Sequence, residues 1–283
     1  MKRFLLSALI AIGCSLAFAP LVRALSFTSV DFPGATGTSA TGISGSGKIV
    51  GGYFNPGGGI FHGFLLSQGV FSTIDFPGAT STYVRGINDP GDIVGSYQDL
   101  NGVQHGFLLS KGSLSTIDYP SAKHTQAFGI NASGQIVGAY NLEGESGYHG
   151  FLLSNGTFDT IDPPGSTSTQ ILGINTSGAI VGIYSEPIFG THSFLFSNGV
   201  FSTIEFPNAT GITEAFGINA SGEIVGNYED GSIVHGFLFS KGSFSTIDPP
   251  GSTFTQAFGI NASGQIVGEY VDTTGVHGFV TSK

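Results

Sequence analysis

The chain of 283 residues has one cysteine, one methionine and no tryptophan, and only 10% of its residues are charged. Cys14 sits in the apolar N-terminal run, so a chain starting at residue 25 would carry no thiol. Disulfides and thiolate metal sites are then excluded, and packing alone must hold the fold. Cations are as scarce. Loss of residues 1–24 removes Lys2, Arg3 and Arg23, leaving six cations against nineteen acids, a net of −13, with Arg85 the one arginine. A field of that sign repels phosphates and argues against nucleic acid and anionic lipid as partners.

What is present is glycine, 46 residues of it, with an apolar fraction of 40% that is ordinary for a folded chain. The N-terminus, MKRFLLSALIAIGCSLAFAPLVRALSF, places two cations before an apolar run and ends it in small residues. That is the pattern of an export signal, with cleavage expected after Ala24. Two other readings are an uncleaved anchor, since about 20 apolar residues cross a bilayer, and a lipid attached at Cys14. Pro20 weakens the first, and the apolar residues after Cys14 weaken the second. The expectation is a secreted, extracellular or periplasmic monomer, free of the membrane once the signal is cut.

The decapeptide GINASGQIVG occurs at 129–138 and again at 259–268. Related phrases, GISGSGKIVG, GINDPGDIVG, GINTSGAIVG and GINASGEIVG, fill out the series. The tripeptide HGF, once HSF, begins at His62, His105, His149, His192, His235 and His277, so the period is about 43 residues. Six units account for residues 25–283. Each unit reads as four short strands, a to d. TQAFGIN leads through a tight turn into QIVGEY. HGFLLS follows, then a two-residue hairpin turn such as NG, then FSTIDPP, where proline ends the strand.

The chain opens on a lone d strand (Ser26–Pro33) and closes on a lone c strand (His277–Lys283). Together they make one unit, which is how a propeller closes. The expected fold is all-β: a six-bladed β-propeller over 25–283, with the last blade completed by the N-terminal strand. An open solenoid would need polar caps, and a β-helix lacks the three tight reversals per unit.

The pattern G-I-N-x-x-G-x-I-V-G followed by H-G-F-L resembles the His-Ala-Phe (HAF) family of bacterial extracellular repeats over essentially all of 26–283. This chain has Gly, or once Ser193, where that family's name has Ala. It also has Ser or Thr where many members carry Trp. The resemblance implies export and a repetitive β fold, and it transfers no catalytic residue.

Recurring polar residues have local explanations. The six histidines lie on the third strand from the axis, too far apart to share a metal at the ~2 Å reach of a ligand nitrogen. Each faces a tyrosine at the end of strand b (Tyr53, Tyr97, Tyr140, Tyr184, Tyr228, Tyr270), and a His–Tyr hydrogen bond is the expected staple. Asp31, Asp75, Asp118, Asp162, Glu205 and Asp248 end strand d. One carboxylate per blade falls short of a Ca²⁺ shell, so these are expected to cap the turn through backbone N–H groups. Asn131, Asn175, Asn219 and Asn261 stand in sequons, but their period marks turn chemistry. Phe64, Phe107, Phe151, Phe194, Phe237 and Phe279 are expected between blades, and the strand-a glycines where neighbouring blades approach.

A ligand site is expected where the symmetry breaks. The column before the strand-a glycine reads Thr41, Arg85, Phe128, Leu172, Phe216, Phe258, so two adjacent blades turn polar and Arg85 lies near the axis. Two residues earlier stand Ser39, Tyr83, Gln126, Gln170, Glu214 and Gln256, with Lys123 and His124 in the crossover beside them. Thr41, Tyr83, Arg85, Gln126, His124 and Glu214 are the candidate ligand residues, and exposed aromatics Phe54, Phe61, Tyr148 and Phe189 lie in the b–c loops. A binding or scaffolding module for an extracellular glycan, peptide or small molecule is favoured. A hydrolase or lyase on an extracellular glycan or lactone is the alternative. One arginine excludes an arginine cluster, no G-x-S-x-G or H-E-x-x-H is present, and Asp89, Asp92, Glu143, Glu145 and Glu186 scatter through loops. A purely structural surface protein is the third reading. No cofactor, metal or catalytic residue is expected.

Overall fold

The computed structural model describes residues 25–57, 59–187 and 190–282. The expected signal segment, Cys14 and Phe189 lie outside the described residues. Those described hold strands and turns, with no helix.

The strand with which the described chain opens is β1 (Ser26–Val30). There follow β2 (Gly37–Ile43), β3 (Ile49–Phe54), β4 (Phe61–Ser67) and β5 (Val70–Ile74). The same order recurs in β6 (Ser81–Ile87), β7 (Ile93–Gln98), β8 (Gln104–Ser110) and β9 (Ser113–Ile117). Next come β10 (Ala122–Ile130), β11 (Ile136–Leu142), β12 (His149–Ser154) and β13 (Thr157–Thr160). Then β14 (Ser168–Ile174), β15 (Ile180–Glu186), β16 (Gly190–Ser197) and β17 (Val200–Ile204) repeat the pattern. So do β18 (Thr213–Ile218), β19 (Ile224–Asp230), β20 (Ile233–Ser240) and β21 (Ser243–Ile247). The chain ends in β22 (Phe254–Ile260), β23 (Ile266–Val271) and β24 (Val276–Ser282).

Within each run of four, consecutive strands pair antiparallel. The last three strands take β1 as their fourth, with Ser26 opposite Ser282 and Val30 opposite Gly278. Single parallel bridges, Gly37 to Val276 and Val234 to Phe254, tie three of these groups into one twelve-stranded sheet. The other three groups are separate four-stranded sheets.

The hairpins form where left-handed backbone is tolerated. Gln68, Lys111, Asn155, Asn198 and Lys241 have φ near +50°, each followed by a glycine that is also positive, as a type I′ turn requires. The a–b turns use asparagine. Asn131 Oδ1 accepts the N–H groups of Ser133 (3.2 Å) and Gln135 (3.0 Å), fixing the turn from within. Its Nδ2 donates 3.0 Å to the carbonyl of Asn175 in the next group. Asn88, Asn175, Asn219 and Asn261 do the same, the last reaching Ser44. Ser44 cannot donate across in this way, and there Gly45 N–H donates to Asp89 of the next group instead.

The core lies between groups. Phe64, Phe107, Phe151, Phe194, Phe237 and Phe279 are fully buried. The rings of five of them lie over a strand-b glycine: a Cβ at Gly138 would sit 2.7 Å from the Phe151 ring. Each cluster joins neighbours. Val94 and Ile117 pack with Ala127, Ile130, Ile136 and Phe151, and Val30 and Val267 from the chain's two ends pack with Ala40, Ile43 and Phe64.

The innermost strands β2, β6, β10, β14, β18 and β22 each contact the next, and β22 contacts β2. Each carries a bulge, between Ala40 and Gly42, Val84 and Gly86, Ala127 and Gly129, and so on. The extra residue is Thr41, Arg85, Phe128, Leu172, Phe216 or Phe258. A bulge re-aims its side chain, and here it presents all six at the axis.

Replacing Phe151 with Ala removes a fully buried ring and leaves a void. The expected loss is about 3–5 kcal/mol in denaturant-unfolding experiments; an unchanged midpoint would contradict its placement.

Candidate functional site

The bulged residues line an axial cavity of about 370 Å³, bounded by Thr41, Arg85, Phe128, Leu172, Phe216 and Phe258 with Gln126, Gln170, Ile183 and Glu214. Four of the six expected ligand residues, Thr41, Arg85, Gln126 and Glu214, therefore meet in one cavity. Below it the channel narrows past the strand-a glycines and isoleucines to the asparagine turns.

Arg85 makes no hydrogen bond or ion pair among the described residues, and its Nε is buried without a partner. Its guanidinium carbon stands 5.7 Å from the Tyr83 ring centroid and 5.9 Å from that of Phe128. Two aromatic faces thus hold the cation where no carboxylate neutralises it directly. Burial lowers the Arg85 pKa, while Tyr83 and Glu269 pull the other way. Tyr83, the fifth expected residue, acts through this contact.

The rim above is a hydrogen-bonded polar layer. Gln256 Nε2 donates to Asn227 Oδ1 at 3.0 Å, and Asn227 Nδ2 donates to Glu214 Oε2 at 3.2 Å. Gln126 donates to Gln104. The Thr41 hydroxyl is already engaged, donating 2.9 Å to the Val84 carbonyl. Burial pushes the Glu269 carboxyl up, against the opposing effects of a Ser39 hydrogen bond and the charge of Arg85.

Glu269 lies outside the strand-a columns that point to the site. It stands opposite Gln256 in the register, in the strand-b column Gly52, Ser96, Ala139, Ile183, Asn227, Glu269. That column loses its symmetry at the same level as the strand-a column, which is the signal that marks it. Acids do approach the axis, then, through Glu214 and Glu269. No group of three or more His, Cys, Asp or Glu among the described residues could hold a metal ion.

His124 does not belong to the cavity. It lies within β10 rather than in a crossover, and its Nδ1 accepts the Gln104 N–H at 3.1 Å. Ser81 and Ser168 make the same contact, accepting the Phe61 and Tyr148 N–H of the group before their own. It is an edge clasp between neighbours. Lys123, on the same strand, is salt-bridged to Glu143 at 3.3 Å.

The repeated histidines also differ from expectation. Each faces its tyrosine, but the contact is ring against ring, with centroids 5.1–5.5 Å apart. The hydrogen bond goes to the carboxylate expected to cap the turn. His62 Nδ1 meets Asp75 (3.0 Å), His149 meets Asp162 (2.7 Å), His235 meets Asp248 (2.7 Å) and His277 meets Asp31 (3.1 Å). His105 and His192 pair likewise with Asp118 and Glu205. The reason is strand pairing: His62 and Asp75 are equally far from the Gln68–Gly69 turn and so end up side by side. Asp162 and Asp248 also accept a backbone N–H, but from Gly150 and Gly236 on the paired strand and not from the turn.

No family model and no curated protein matches the chain. Solved structures do. A mutant of AofleA from Arthrobotrys oligospora is 12% identical, with 92% of this chain and 86% of that chain covered and a TM-score of 0.57. The β-propeller domain of the trilobed protease from Pyrococcus furiosus, which has an open velcro topology, is 11% identical over 88% and 81%, TM-score 0.56. Aleuria aurantia lectin in complex with Fucalpha1-6GlcNAc is 11% identical over 87% and 91%, TM-score 0.53. At such identities the likeness is one of fold alone, and the fold is all-β and propeller-like.

His149 lies between two carboxylates, Asp162 on Nδ1 (2.7 Å) and Glu145 on Nε2 (3.1 Å), whereas the second carboxylate stands farther off at His277 (Asp272, 3.5 Å) and His105 (Asp99, 3.9 Å). Asp162 and Glu145 raise the His149 pKa above the ordinary 6.5, the Asp162 hydrogen bond first. A raised folded-state value means the stabilisation is full below the unfolded pKa and fades as pH rises through the folded one. The His149 ring should titrate above 6.5 by NMR, and His149→Gln should flatten the decline in melting temperature from pH 6 to pH 8. A slope unchanged by the substitution would contradict this.

Proposed function

We propose that this chain is an exported ligand-binding module: a six-bladed propeller of the HAF repeat type, its last blade completed by β1, that takes a small anionic molecule at its axial mouth. The observation that carries the reading is Arg85. A half-buried guanidinium with a sealed, unpaired Nε costs stability, and neighbouring units fill the same column with Phe128, Leu172, Phe216 and Phe258. Nothing in the scaffold requires a cation there. A carboxylate or similar acceptor in the cavity would supply the missing partner through a bidentate, charge-assisted contact.

Several observations support the wider reading. The pairing of β1 with β24 and the contact of β22 with β2 support closure into a single ring. The lectin likeness is compatible with a binding role on this kind of frame. The glycine-rich, cysteine-free repeats and the N-terminal apolar run support export of the HAF type.

Arg85→Met replaces the unpaired charge with an apolar side chain of similar reach. It should raise stability by about 1–3 kcal/mol while removing any stabilisation of the wild-type chain by small carboxylates in thermal-shift titrations. A variant that melts lower and still responds to those carboxylates would remove Arg85, and with it this function.

A further inference from the structure

The charge inventory of the cavity says more about its ligand than that it is anionic. A simple anion on Arg85 would share the cavity with Glu214 at the rim and feel the charge of Glu269, which stands behind the lining on strand b and acts on Arg85 through space. One cation and two acids, in a chain of net charge −10, make a poor trap for a molecule that is only negative.

Glu214 is held as an acceptor. Asn227 donates to its Oε2, and Asn227 cannot turn round, because its own Oδ1 accepts from Gln256. That leaves Glu214 Oε1 without a protein partner among the described residues. The Gln170 side chain, on the same rim, is also without one. A carboxylate fixed as an acceptor with a free oxygen calls for a donor, best a cationic one.

Arg85 lies on β6 and Glu214 on β18. Around the ring of inner strands these are three units apart, so they address the cavity from opposite sides. Between them the surface is apolar: Leu172, Phe216 and Phe258, with Ile183 above. A volume of about 370 Å³ is near the low end for small-molecule sites.

We propose that the cavity takes a small zwitterion, a free α-amino acid or dipeptide with an apolar side chain. Its carboxylate lies on Arg85, its ammonium on Glu214, and its side chain against Phe216, Phe258 and Leu172. This rests on the anion reading above and goes beyond it by assigning the opposite pole.

The test is calorimetric titration of the chain from residue 25 with L-phenylalanine, L-leucine and L-leucyl-L-leucine. N-acetyl-L-phenylalanine, which lacks the ammonium, L-phenylalaninamide, which lacks the carboxylate, and glucuronate, an anion with hydroxyls, are the comparisons. At least one of the three zwitterions should bind at least about ten-fold more tightly than every comparison compound. Glu214→Gln should weaken that ligand by at least about ten-fold while leaving N-acetyl-L-phenylalanine unchanged or improved. Arg85→Gln should weaken every carboxylate. Glucuronate or the N-acetyl compound binding as tightly as any zwitterion, in an Arg85-dependent way, would overturn the zwitterion and leave the anion reading standing. Absence of Arg85-dependent binding by any carboxylate of the series would overturn both.

Discussion

The close approach of backbone to backbone around the axis is the constraint on which the rest depends. A Cβ on Gly86 would lie 2.9 Å from the Phe128 carbonyl oxygen, and one on Gly173 or Gly217 would lie 2.6 Å from the carbonyl of Phe216 or Phe258. Gly259 in turn abuts Thr41 O and the Cα of Gly42, at 3.2 and 3.3 Å. Each inner strand touches the next through a glycine: at Gly86, Gly173 and Gly217 a Cβ would collide with backbone, and at Gly42, Gly129 and Gly259 it would lie 3.0–3.1 Å from the nearest atom. The bulge beside each glycine follows from this packing, and so does the direction of the six bulged residues. The cavity is a product of the scaffold, and its chemistry is set by which residues fill that one column.

A second circuit runs round the outside. Each carboxylate at the end of strand d bonds the histidine of its own group, and in four of the six crossovers the residue after it stacks on the tyrosine of the next. Phe32 stacks on Tyr53, Phe76 on Tyr97, Tyr119 on Tyr140 and Phe206 on Tyr228, with centroids 3.6–3.7 Å apart. The tyrosine then lies against the histidine of its own strand pair. Buried Pro163 and Pro249 stand in the aromatic position in the two remaining crossovers. Asp31 belongs to the same circuit, since it bonds His277 at the far end of the chain. With no disulfide available, repeated contacts of this kind let a chain of few charges hold its units in order. The seams are short, apolar or charge-assisted, and distributed evenly.

Much of this was legible in the sequence because the period fixes where equivalent residues fall. Strand positions, the hairpin turns, the buried phenylalanines and the axial placement of Arg85 all follow from counting. The His–carboxylate pair could have been read the same way, since both residues are equidistant from a two-residue turn. It was obscured because the tyrosine is equally well placed across the other hairpin, and hydrogen bonding and ring stacking cannot be told apart by register. Glu269 and Asn227 are different. They reach the site from strand b, where only the broken symmetry of the column opposite Gln256 and Glu214 marks them, and the counting that places strand a does not by itself show that this column faces the site. His124 occupies the position of Ser81 and Ser168, with which β6 and β14 begin, so it belongs to the strand; the two residues by which β10 starts earlier are Ala122 and Lys123.

Scaffold and site therefore make opposite demands on one column. Packing favours a large apolar residue at each bulge, as in four of the six units, whereas Thr41 and Arg85 give up that packing beside each other. The axial backbone contact beneath them permits the exchange, because it holds the ring whatever the bulged side chain is. The most direct measurement of that contact is the unfolding free energy of Gly217→Ala, with Gly59→Ala as the control, since a Cβ at Gly59 meets nothing within 4 Å. The account predicts a loss of about 1–3 kcal/mol or more at Gly217 and no change at Gly59. Equal stability of the two variants would contradict it.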